Sequence, residues 1–175
     1  AGGRKMKRLT YVADRPSGQV ATFHTNGAVR LEGRIVDGRR DGKWVQRDRK
    51  GKVLGSFTMK RGTGVLREWR ETGELYEETT YKAGKPEGRR RFFHPNGKVQ
   101  IAGVMRGGQM VGVWKSYNAR GVMLRATCRV LTGKGKTKVL WEVKSAAAAK
   151  GKRCLQGLTP RSKPKPRCCR WPSSF

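Results

Sequence analysis

Three groups of side chains in this 175-residue chain are of types that could carry catalysis. The first is a pair of imidazoles, His24 and His94, either of which could serve as a general base or a metal ligand. The sequence holds no third histidine to complete a metal site, and both residues stand three before an Asn-Gly turn glycine, Gly27 and Gly97. They read as turn residues. The second group is the run of carboxylates Glu68, Glu71, Glu74, Glu77 and Glu78, dense enough for an acid–base pair. Spread around a turn signal at Gly73, they read more simply as an exposed acidic face. The third is Gly133-Lys134-Gly135-Lys136-Thr137, which has part of a phosphate loop but lacks its first glycine and its spacing. There is no Gly-x-Ser-x-Gly nucleophile elbow either. No catalytic constellation forms, so the expectation is a non-enzymatic protein without cofactor or metal.

Binding chemistry is better supplied. The chain carries 41 Lys and Arg against 12 Asp and Glu, a formal charge of +29, and the imbalance is uneven. Six of the acids lie between Glu68 and Glu87, and none follows Glu142. From Lys144 to Phe175 there are basic residues, an alanine run and the prolines of 160–167, the composition of a disordered basic arm. Lys150, Lys152, Arg153, Arg161, Lys163, Lys165, Arg167 and Arg170 are its candidate polyanion contacts, which would bind by counterion release. Nucleic acid, anionic lipid, acidic polysaccharide and an acidic protein all satisfy that chemistry. The four cysteines, Cys128, Cys154, Cys168 and Cys169, lack the Cys-x-x-Cys spacing of a zinc site. Adjacent Cys168 and Cys169 would be strained if bridged to each other. Two disulfides to Cys128 and Cys154, or four free thiols in a reducing compartment, remain the two readings.

The element that must position all of this is a glycine grid. Gly27, Gly51, Gly73, Gly97 and Gly121 recur at intervals of 24, 22, 24 and 24 residues. Each is preceded by nine residues by another glycine (Gly18, Gly42, Gly64, Gly88, Gly112), and Gly38, Gly62, Gly84 and Gly108 follow at eleven. Such a period marks a repeat array. Two residues after the turn glycine stand Val29, Val53, Leu75, Val99 and Met123; eight after it stand Ile35, Met59, Tyr81, Met105 and Arg129. Both offsets are even, which on a strand puts them on one face. Strand-forming residues bounded by glycine turns predict one β-hairpin per unit. Asn26-Gly27 and Asn96-Gly97 are the sharpest turn signals, and Asp37-Gly38 and Asp41-Gly42 read as connections between units. The Gly62–Gly64 link is two residues shorter than its counterparts, which predicts a tighter turn there without a break in the array.

Aromatic and basic residues recur in phase with this grid. Trp44, Arg47, Trp69, Arg90, Phe93, Trp114 and Tyr117 are the candidate partner-binding face. The same phase also suits packing between hairpins, and of the two uses packing is the stronger expectation for the aromatics.

The phrases Gly-Val-Trp-Lys-Ser-Tyr (112–117), Phe-His-Pro-Asn-Gly-Lys-Val (93–99) and Phe-His-Thr-Asn-Gly-Ala-Val (23–29) resemble the bacterial variant of the MORN repeat. The resemblance covers residues 18–132. It implies an all-β fold: an elongated, twisted antiparallel sheet of about five stacked hairpins. It also implies a protein-binding or scaffolding module, as in the bacterial members described as antitoxins, with no catalytic residue to carry over. Arg47 and Arg90 depart from its aromatic pattern. The expected layout is a lead-in with a possible capping strand (1–17), the repeats (18–132), a closing strand (133–143) and a basic tail (144–175). No apolar run is long enough to span a membrane, and open sheet edges invite self-association. The start at Ala1 fits either signal-peptide removal or an arbitrary boundary, and the compartment stays open between exported and cytoplasmic.

Overall fold

The computed structural model describes residues 7–8, 11–12, 15–132 and 136–144. The basic arm beyond Lys144, with Cys154, Cys168 and Cys169, lies outside the described residues. Fourteen strands are described, and the described residues form no helix. Short strands β1 (Lys7–Arg8), β2 (Tyr11–Val12) and β3 (Arg15–Pro16) precede the array. Five hairpins follow: β4 (Gly18–Phe23) with β5 (Val29–Val36), β6 (Arg39–Arg47) with β7 (Val53–Lys60), and β8 (Thr63–Trp69) with β9 (Leu75–Lys82). β10 (Lys85–Phe93) with β11 (Val99–Arg106), and β12 (Gln109–Tyr117) with β13 (Met123–Leu131), complete them. β14 (Thr137–Val143) pairs with β13. The result is one open antiparallel sheet in the order β1-β4-β5 and then sequentially to β14, with β2 and β3 paired apart from it.

Each hairpin closes through a four-residue turn in which the glycine N–H donates to the carbonyl three residues back, as Gly27 does to His24 at 2.9 Å. The units are joined by two-residue turns whose residues both have positive φ, such as Asp37-Gly38 (49° and 75°) and Arg61-Gly62 (46° and 78°). That is the twist a tight antiparallel connection requires. The Arg61-Gly62 turn is therefore no tighter than the other three, contrary to the expectation from sequence length. The two missing residues are missing from a bulge instead. In β5–β6, Glu32 faces Val45 while Arg34 faces Asp41, so Gly42, Lys43 and Trp44 oppose Gly33 alone. The β9–β10 and β11–β12 pairs bulge in the same way, whereas β7–β8 pairs only through Met59–Gly64 and Lys60–Thr63. Asp41-Gly42 accordingly lies inside β6 and is no connection.

A second irregularity repeats in all five hairpins. The residue four before the turn glycine pairs with the residue two after it, as in Phe23–Val29 and Phe93–Val99, and the register shifts at the next pair. The even spacing of Val29 and Ile35 thus does not carry one uninterrupted alternation, because the shift falls between them. The most buried column lies six residues after the turn glycine: Gly33, Phe57, Thr79, Gly103 and Thr127 are buried in every unit. Opposite them across each hairpin stand Val20, Trp44, Leu66, Arg90 and Trp114. The first core cluster joins Val20, Trp44, Phe57, Met59 and Leu66, and Phe93, Met105, Val111 and Trp114 are buried further along.

Candidate binding surface

A repeat surface is only as well defined as the joints between its units, so the joints come first. At each of four junctions one side chain reaches forward 23 residues to the backbone of the next hairpin. His24 Nε2 donates to the Arg47 carbonyl at 2.9 Å, and His94 Nε2 to the Tyr117 carbonyl at 2.9 Å. A carbonyl only accepts, so each ring carries its proton on Nε2. Arg70 donates to the Phe93 carbonyl at 3.0 Å. Gln46 donates to the Trp69 carbonyl at 2.7 Å and accepts from the Trp69 N–H at 3.1 Å. Asn26 and Asn96 add donors to the carbonyls of Arg49 and Ala119, both at 2.8 Å. Along the other side of the array the linking turns stack: the Gly62 N–H donates to the Arg40 carbonyl at 2.7 Å and the Gly84 N–H to the Gly62 carbonyl at 2.9 Å. The histidines are structural ties.

The faces between these ties differ from junction to junction. Trp44 lies over Gly33 and Trp114 over Gly103, so closely that a Cβ on either glycine would come 2.2 Å from the indole. Without a bulge, the second junction achieves the same with Trp69 over Gly55. Between the third and fourth hairpins no tryptophan is seated over a glycine. Thr79, Glu77 and Arg90 occupy that place: the Thr79 hydroxyl donates to Glu77 Oε1 at 2.6 Å and Arg90 Nε donates to the same oxygen at 2.9 Å. One residue further along β9, Glu78 is held between Arg67 and Arg91. Partial burial pushes the Glu78 pKa up, but the hydrogen bonds from Arg67 and Arg91 outweigh it and hold the carboxyl below the ordinary range. Two of the five carboxylates in the run, Glu77 and Glu78, are therefore held in ion pairs within the sheet, while Glu74 accepts from the Thr72 hydroxyl and Glu71 accepts from the Arg49 N–H and lies 3.5 Å from His24.

The residues singled out by repeat phase do not assemble into one outward face. Trp44, Phe93 and Trp114 are buried, Trp69 packs at the rim of the first core cluster, and Tyr117 is half-buried, with its phenol pKa raised by burial. Arg47 is bound to Glu32 at 2.9 Å and Arg90 to Glu77. Cys128 is fully buried and disulfide-bonded. Lys150, Lys152, Arg153, Arg161, Lys163, Lys165, Arg167 and Arg170 lie outside the described residues. Among the described residues no group of three His, Cys, Asp or Glu could hold a metal ion, and no helix is long and apolar enough to cross a membrane. What sequence reading missed is the forward reach of His24, Arg70 and His94. Its signal was present: the residue three before the turn glycine is a long donor in all three units.

The family model for the MORN repeat variant matches residues 63–83 and 86–103, the third hairpin and most of the fourth. The match supports placing these hairpins with MORN repeats, and no curated protein matches the chain. The matched stretch includes the ionic junction, so that junction is a variation inside the repeat.

Proposed function

We propose that the chain is a non-enzymatic binding module. Its hairpin array forms a platform for an acidic protein partner, and its basic C-terminal residues add electrostatic attachment. The observation that carries this reading is the fate of the carboxylates. Glu32, Glu77, Glu78 and Glu142 face arginines, Asp41 and Glu87 accept from backbone N–H groups of neighbouring turns, and Asp48 accepts from N–H groups of its own turn. With most of its described acids engaged in such contacts and 41 basic residues against 12 acidic ones in the chain, the surface offers an excess of cations. Charge complementarity of that kind selects partners and speeds their encounter. An antitoxin-like pairing is one form of the reading, and it predicts a toxin gene beside this one.

The test is capture of partners by the full-length chain, then reconstitution with each candidate at rising salt. A stoichiometric complex with an acidic protein that survives moderate salt supports the platform. The second reading, polyanion binding through the tail, is favoured by the charge alone. Titrating DNA and heparin against the chain, and against a form with the eight tail cations changed to Gln, separates the two. If every binding activity is steeply salt-dependent and vanishes with those cations, the array is not the platform.

A further inference from the structure

The first junction contains a cavity of about 240 Å³ that the packing of the array does not account for. Its walls are apolar: Val20, Leu31, Ile35, Trp44 and Met59, with Tyr81 at one side. Two adjacent arginines, Arg39 and Arg40, with Thr22 and turn glycines, complete the lining, and it contains no carboxylate. Arg40 stacks its guanidinium 5.1 Å from the centre of the Trp44 ring. The aliphatic part of Arg39 lies against the turn glycines Gly62 and Gly84. The carboxylate next in sequence, Asp41, is turned away to the Arg61 N–H at 2.9 Å. Trp44 is 2% exposed, and its indole N–H has no partner.

The fifth hairpin shows that the arginines are not needed to seat the tryptophan. Trp114 lies over Gly103 as Trp44 lies over Gly33, and its indole N–H is equally unpartnered. Yet the residues five and four before it are Gln109 and Met110, where the first junction has Arg39 and Arg40. Two neighbouring cations beside a buried ring, with no acid in the same lining, leave a site short of one negative charge. An apolar hollow with a few converging polar groups is also how small-ligand sites are built.

We propose that this cavity binds a small carboxylate carried on an apolar body. The carboxylate is held by Arg39 and Arg40, and the body lies among Val20, Leu31, Ile35 and the Trp44 ring. The guanidiniums supply paired N–H donors suited to a carboxylate. The volume is small for a drug-sized molecule and suits a compact ligand.

Calorimetric titration of the full-length chain with 2-naphthoate and with octanoate tests the site, alongside neutral 2-naphthalenemethanol and inorganic phosphate. At least one carboxylate binds saturably, with the neutral analogue and phosphate each at least tenfold weaker. The double variant R39Q/R40Q, which keeps the basic tail, loses at least tenfold in affinity at an unchanged thermal midpoint. In NMR spectra assigned by a W44F variant, the Trp44 indole N–H signal moves on titration and that of Trp114 does not. Preference for naphthoate or for octanoate tells a flat body from a linear one. Unchanged binding by R39Q/R40Q, phosphate binding as tightly as either carboxylate, or no saturable binding of either carboxylate would overturn the proposal.

Discussion

Two junctions of the array solve one packing problem with opposite chemistry. Between the fourth and fifth hairpins, Trp114 fills the space over Gly103, and apolar burial holds the units together. Between the third and fourth, the same positions carry Thr79 and Arg90, and cohesion comes from Glu77 bonded to both. The backbone presents the two differently: Trp114 lies within the three-residue bulge opposite Gly103, whereas the β9–β10 bulge holds residues 87–89 and Arg90 pairs in register with Thr79 just beyond it. The apolar joint depends on shape and the ionic joint on ionisation, so the two should fail under different insults.

The largest effect is expected at the apolar joint. Trp114→Ala opens a cavity where the ring stood and should cost about 3–5 kcal/mol, read by chemical denaturation. Gly103→Ala is a sharper probe, because its single added carbon would stand 2.2 Å from the indole and must displace it. A Gly103→Ala chain as stable as the parent would show that the tryptophan is not locked over the glycine.

Breaking the ionic joint comes next. Glu77→Gln removes the charge that Arg90 and Thr79 share, and should cost about 2 kcal/mol. The double change Thr79→Gly with Arg90→Trp, which copies the apolar joint, should recover that loss or exceed it when combined with Glu77→Gln. If the copy is less stable than Glu77→Gln alone, the two joints are not interchangeable.

Acid distinguishes the joints without mutation. The folded Glu78 pKa lies below its unfolded value, so its share of stability is complete above the ordinary carboxylate range and is lost as pH falls through the folded pKa. Protection factors against hydrogen exchange on β9 and β10, referred to the intrinsic rate at each pH, should therefore fall in acid before those on β12 and β13. Uniform loosening across the array would contradict the contrast.

How far the sequence disclosed this can be judged residue by residue. Asn26-Gly27 and Asn96-Gly97 announced their turns because positive φ restricts the residue choice. The buried column was hidden because two of its five members are glycine and two are threonine, which no hydrophobic pattern flags. Its packing is supplied from eleven residues away by Trp44 and Trp114, a relation set by a bulge that length alone does not disclose. The deletion before Gly64 was visible, but its place in the bulge required the register. At the surface, Arg39 and Arg40 gave no sign, because a basic pair means little in a chain with 41 basic residues.

The smallest effect tests the ties that both joints share. His94→Ala deletes one hydrogen bond to the Tyr117 carbonyl at the fourth junction, and should cost about 1 kcal/mol. Gln46 makes the equivalent bond at the second junction, so His94→Gln should restore part of the loss by placing an amide donor near the same carbonyl. Arg70→Ala at the ionic joint removes a charged donor to the Phe93 carbonyl and a guanidinium stacked 4.6 Å from the centre of the Tyr76 ring. It should cost more than His94→Ala. Equal costs at the two joints would mean that the tie acts independently of the chemistry it spans, and the contrast between the joints would then be confined to their buried faces.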